Sequence, residues 1–158
     1  MTFEQTEQGF LFHGIHPALE GVLRAAALDP WDRCPEGSAR LLPSPGNDEE
    51  LSLDWEDHVK PELRTGFDTA RSVVSDDLER LTLGASGTWS LSIPSDHAES
   101  WLLTLNALRL ALAEEHGLGE SDLARDGWGD WTSPEGVALM QVNLFAFMQE
   151  CLIRALEA

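Results

Sequence analysis

The chain contains no tyrosine, two cysteines and a single lysine among its 158 residues. Each shortage removes a class of explanation. Cys34 and Cys151 are too few for the disulfide framework of a small secreted domain, and their separation fits neither a zinc knuckle nor CxxC chemistry. A reducing cytoplasm is the simplest compartment for such a chain. The opening MTFEQTEQGFLFHG has no basic n-region of the kind that begins a signal peptide. No stretch reaches the roughly 18 apolar residues of a membrane-crossing helix. Lys60 is the only lysine, and 10 basic residues face 28 acidic ones, for a formal net charge of −18. Nucleic-acid phosphates and anionic membranes require cationic neutralisation, so neither is expected as a direct partner. A protein partner with a basic surface suits this field better. Catalytic signatures are missing as well: there is no G-x-S-x-G, no phosphate-binding glycine loop and no H-E-x-x-H.

What is present suits one domain spanning residues 1–158. The apolar fraction is 42%, enough for a contiguous core, and six tryptophans add large surfaces to bury. Partial alternation on either side of Gln8-Gly9 predicts an N-terminal hairpin. Pro17 opens a helix with Leu19, Val22, Leu23, Ala26 and Ala27 on its apolar side, and Asp29-Pro30 ends it. Residues 30–47, with four prolines and two glycines, read as a loop. Asn47 or Asp48 caps the next helix, which Pro61 breaks or kinks. Leu63, Phe67, Ala70, Val74, Leu78 and Leu81 then recur at helical spacing above an acidic outer face. Gly84 to Gly87 reads as a flexible turn.

Thr88 to Ile93 alternates, with Trp89, Leu91 and Ile93 on one face, and predicts a half-buried strand paired with the hairpin. From Ser95 to about His116, leucines wrap a helix that must be buried, with Gly117 as its stop. Residues 117–132 form an acidic loop holding Trp128 and Trp131. Thr132-Ser133-Pro134-Glu135 resembles a capping box before the last helix, whose core face is Val137, Met140, Leu144, Phe147, Met148, Cys151, Leu152 and Ala155. The expected fold is α+β and mainly α: four to five helices in a bundle, with a small antiparallel sheet made of the N-terminal hairpin and the strand near 88–93.

The polar residues set among the two C-terminal apolar stretches are the main candidates. Asn106 and Arg109 share a helical face, three residues apart. A buried arginine needs a partner, and Glu150 is the first choice, Glu79 the second; Gln149 can serve Asn106 or a backbone group. The group is either an inter-helix network or a small-ligand or enzyme site. Trp128 and Trp131 are candidate partner contacts, because tryptophan is enriched at interface hot spots. Cys34 lies beside Arg33, which can lower a thiol pKa, but Asp32 and Glu36 oppose that; it is the candidate redox residue. Cys151 reads as an inert core thiol. Asp54, His58 and Glu62 are spaced for one helical face, but Pro61 interrupts them. His97 and His116 read as helix-end residues, and His13 and His16 as structural. No metal and no cofactor is expected.

Two of these stretches carry a resemblance. Trp101, Leu105, Asn106, Leu108, Arg109, Leu110 and Leu112, followed by Phe147 to Leu156, resemble the helix patterns of an uncharacterised actinobacterial domain family. Ala39-Arg40-Leu41-Leu42-Pro43 is similar to the loop before that family's middle helix. The resemblance implies a hairpin joined to helices and no established activity. It also implies genes that often neighbour that of the Clp protease adaptor. Some members use a closely spaced cysteine pair in oxidative-stress regulation, but Cys34 and Cys151 are far apart here, and Cys151 replaces the family's usual serine. The expected function is a non-enzymatic cytoplasmic regulatory or adaptor protein. A thiol-based regulator using Cys34 and a ligand site around Asn106, Arg109 and Glu150 are the alternatives.

Overall fold

The computed structural model describes residues 1–27, 41–43, 45–124 and 132–158. Strands β1 (Thr2–Thr6) and β2 (Gly9–Ile15) form the expected hairpin. β2 pairs antiparallel with β4 (Trp89–Pro94), and β4 pairs with β3 (Thr82–Leu83), giving the order β1-β2-β4-β3. The sheet therefore has four strands where the sequence indicated a hairpin and one strand. β3 is two residues long, too short to show alternation. The Gly84–Gly87 segment is the hairpin turn that joins it to β4, closed by the Gly84 N–H donating to the Thr88 carbonyl at 2.9 Å.

Glycine sets the register of β2 at both ends. A Cβ on Gly9 would collide with the Ile93 carbonyl oxygen, so only glycine lets the two strands close there. Between Phe12 and Ile15 the pairing shifts by one residue, with Gly14 at a φ of 66°. That bulge returns Ile15 to the inner face beside Phe10 and Phe12, all three buried.

Helix α1 (Pro17–Arg24) starts with Pro17 in its first turn, and His16 Nδ1 accepts from the Ala18 N–H at 3.1 Å. A 3₁₀ turn at Ala25–Ala27 follows; the expected stop at Asp29-Pro30 lies outside the described residues. Asp48 caps α2 (Glu49–Asp54), accepting from the Glu50 and Leu51 N–H groups at 3.0 and 3.2 Å. The chain then passes through a π-helical turn, Trp55–Val59, into α3 (Lys60–Glu79). Here lies the answer to Pro61. Proline has no N–H and its ring crowds the carbonyl four residues back. A wider turn immediately before it relieves the crowding, and the helix continues without a break.

On α3 the buried stripe begins only at Ala70 and continues through Val74 and Leu78. Leu63 is exposed, and Phe67 is half-buried against the separate small cluster of Leu41, Leu42 and Ala107, so neither joins the expected core stripe. Helix α4 (Ala98–Glu115) is buried along half its residues, as its leucines require. It ends in a Schellman arrangement: Leu118 N–H to the Ala113 carbonyl at 2.8 Å, with Gly117 at a φ of 61°. A short helix, α5 (Glu120–Leu123), occupies part of the segment expected to be loop.

Ser133 caps α6 (Pro134–Glu157), accepting from the Gly136 N–H at 3.0 Å. The third helical position is thus Gly136, so the expected Thr132–Glu135 capping box does not form. Leu144, Phe145, Met148 and Leu152 bury against the α4 core of Trp101, Leu105, Leu108 and Leu112. Phe145 takes the place expected of Phe147, which is exposed. By length and mean hydropathy (1.4) α6 alone among the described helices is long and apolar enough to cross a membrane. This differs from the expectation that no stretch reaches that length; the apolar length serves as the central packing partner of α4.

Candidate functional site

Two polar clusters interrupt the apolar interior. The first is where the sequence pointed. Antiparallel packing of α4 on α6 brings Asn106 and Arg109 opposite Gln149 and Glu150 along an open groove of about 620 Å³. Ala146 and Ile153 give its floor an apolar component, and Arg154 and Glu157 extend it towards the end of α6.

The bonding differs from the expected pattern. Arg109 Nη1 donates to Gln149 Oε1 at 2.6 Å, and Gln149 Nε2 donates to the Leu102 carbonyl at 3.1 Å. Gln149 is buried and ties the guanidinium to the backbone of α4. Glu150 does not pair with Arg109. It points outward and pairs with Arg154, four residues along the same helix. The reason is angular: adjacent residues are about 100° apart around a helix, so only one of Gln149 and Glu150 can face α4. Glu79 does not pair with Arg109 either. Among the described residues Arg109 has no carboxylate partner, and its buried Nε has no acceptor. Burial lowers the guanidinium pKa from its ordinary value, yet arginine stays cationic. Asn106 is exposed at the groove's rim.

The second cluster was not foreseen. Asp77 of α3 is fully buried, although it falls in what reads as an acidic outer face. Its Oδ2 accepts from Trp101 Nε1 at 2.9 Å, and His97 Nδ1 lies 3.0 Å away. Arg80 Nη1 stands 3.5 Å from Oδ1. The arrangement ties α3 to the N-terminal end of α4, where the helix dipole also favours an anion. His97, expected to cap α4, makes no capping bond there and serves Asp77 instead. One signal could have found it: Asp77 continues the Ala70, Val74, Leu81 stripe at spacings of four, three and four.

The remaining candidates are dispersed. Cys34, Trp128 and Trp131 lie outside the described residues. Cys151 is half-buried, and its thiol pKa is raised, first by burial and then by the Glu150 carboxylate, against a lowering effect of Arg154. Asp54, His58 and Glu62 are all exposed, on either side of or within the π turn. No group of three His, Cys, Asp or Glu side chains among the described residues is placed to hold a metal ion. His13 Nε2 lies 3.0 Å from Glu4 on the neighbouring strand. His116 stands at the end of α4, 3.7 Å from Glu115.

The chain belongs to the family described as Domain of unknown function (DUF2017), whose model matches residues 13–156. The match takes in both polar clusters and leaves β1 outside. No curated protein and no solved structure matches the chain.

Proposed function

We propose that the protein is a non-enzymatic regulatory or adaptor protein of the cytoplasm that acts by contact with another protein. One observation carries the reading. Residues 49–66 form a continuous helical arm in which no residue is buried. Yet Leu51, Leu53, Val59 and Leu63 stand there 54%, 65%, 38% and 39% exposed. Single exposed apolar residues are ordinary; Leu51, Val59 and Leu63 stand at spacings of eight and four, on one face of the arm, the kind of apolar surface that marks an interaction site.

The chemistry of the arm also selects a partner. Leu51, half-buried Trp55, Val59 and Leu63 recur every four residues, and the same segment holds six carboxylates against Lys60 and Arg64. An apolar ridge on an acidic helix suits an apolar groove with a basic rim, the helix-in-groove mode of recognition. Trp128 and Trp131 would supply a second contact. The actinobacterial source and the Clp-adaptor gene neighbourhood implied by the resemblance would place the partner in regulated proteolysis.

The test compares the parent with a Leu51→Ser/Leu53→Ser/Leu63→Ser variant as baits in cytosol of the source organism. The proposal expects a discrete partner that binds the parent, weakens with salt and is lost from the variant, whose thermal unfolding is unchanged. A partner retained equally by the variant overturns the arm as the contact. Self-association of the parent that the variant abolishes would reassign the arm to dimerisation. A second reading, a small-ligand site at Arg109, is favoured by the absence of a carboxylate partner for that arginine among the described residues.

A further inference from the structure

We propose that the α4–α6 groove binds a monocarboxylate, with Arg109 as its anchor and the apolar part of the ligand lying along Ala146 and Ile153. The proposal rests on the groove alone and stands independently of the arm.

The first ground is electrostatic. A half-buried guanidinium without a counter-ion is costly, and most such groups are paired. In a chain with 28 acidic and 10 basic residues, an arginine without a carboxylate partner among the described residues is a specific omission. Glu150, which lines the same groove, is engaged by Arg154. Arg109 is instead fixed by a neutral acceptor, Gln149, itself held by the Leu102 carbonyl. A neutral tether orients the fork and leaves its charge available, which is what a carboxylate receptor requires.

The second ground is shape. Nη1 gives one of its two N–H groups to Gln149 and Nε is buried, so the second Nη1 N–H and the Nη2 pair have no acceptor among the described residues. Asn106, exposed at the rim, adds a side-chain amide within the same groove. A volume of about 620 Å³ falls in the range of small-molecule sites.

The charge count narrows the ligand. Arg109 and Arg154 against Glu150 and Glu157 bring the charge of the groove to zero, with Glu150 and Arg154 paired to one another. A ligand is therefore drawn by Arg109 locally, which answers one negative charge, and a second negative charge on the ligand would have no free cation of the groove to meet it. The carboxylate can come from a free organic acid or from the C-terminus of a peptide; both present the same group.

The experiment is a titration of the isotopically labelled full chain, followed by NMR, with N-acetylleucine and with N-acetylleucinamide. A tripeptide ending in leucine, in acid and amide forms, makes the second pair. Saturable shifts at the Asn106 and Gln149 side-chain amides and at Ala146 are expected with the acids and not with the amides. Tighter binding of the tripeptide acid points to a peptide terminus as the source; equal or weaker binding points to a free acid.

Arg109→Lys keeps the charge and loses the fork, and is expected to weaken binding by about tenfold or more. Glu157→Gln, at the exposed end of α6, removes the opposing charge and is expected to tighten it without affecting the fold. Equal responses to acids and amides would overturn the proposal. So would shifts that do not saturate with any acid, or an affinity unchanged by both substitutions.

Discussion

Asp77 shows how much can rest on one side chain. Its carboxylate is fully buried and satisfied by Trp101 and His97, with Arg80 nearby. Asp77→Ala leaves the Trp101 N–H without an acceptor and opens a small cavity. The expected loss is about 3 kcal/mol, read by urea unfolding. Trp101→Phe keeps most of the ring and removes one donor, and is expected to cost about 1–3 kcal/mol. A loss below about 0.5 kcal/mol in both would contradict the clamp. Cys151 gives a test in pH. Its thiol pKa is raised in the folded state, mainly by burial. Stability from that group is therefore fully present below the unfolded pKa and is lost as pH rises through the folded one. In a Cys34→Ser background, alkylation of Cys151 by iodoacetamide is expected to accelerate at a higher pH than for an unfolded control. Coincident curves would contradict this. Asn106, Arg109, Gln149 and Glu150 were readable as a group because polar residues interrupt a leucine pattern. Their bonding was not readable, since sequence spacing does not say which of two adjacent side chains faces the neighbouring helix. Asp77 was hidden by Asp76 and Glu79 beside it, which make that stretch resemble a solvated face.

At the scale of elements, periodicity located the longer helices and the central strand, though not the short α5, and capping chemistry located several starts. Asp48 and the Gly117 stop were legible because each is a local arrangement of a few residues. β3 was not, because two residues carry no period and their pairing with β4 is tertiary. The arm escaped for a related reason. Its apolar residues have helical spacing, and spacing alone cannot say whether anything packs on them. The structure leaves them open, so Leu53→Ser and Leu63→Ser are each expected to change unfolding free energy by no more than about 0.5 kcal/mol. A loss of several kcal/mol would mean the arm is part of the core. Gly9→Ala, by contrast, forces a side chain against the β4 backbone and is expected to lower the melting temperature markedly.

For the molecule as a whole, the sequence settled the class, α+β and mainly α, because the apolar periods of most of the chain are helical. Domain-wide charge has consequences that no single residue shows. At −18 the molecule repels polyanions and draws in basic surfaces, and this attraction is screened within about 10 Å at 0.1 M salt. Association with a basic partner is therefore expected to slow steeply as salt rises, with dissociation changing less, as stopped-flow or surface-based kinetics would show. A salt-independent association rate would remove charge from the recognition. The molecule then presents two separate surfaces: an acidic arm with exposed apolar residues, and a groove in which Arg109 has no carboxylate partner among the described residues. The measurement that tests the central claim most directly is photo-crosslinking in the source cell. A photoreactive residue at Leu51 on the apolar ridge of the arm is compared with one at Leu83, comparably accessible on the edge strand. The account predicts a discrete adduct from position 51, absent from position 83, with a protein whose contact surface is apolar with a basic rim. No adduct at 51, or the same adducts at both positions, would contradict it.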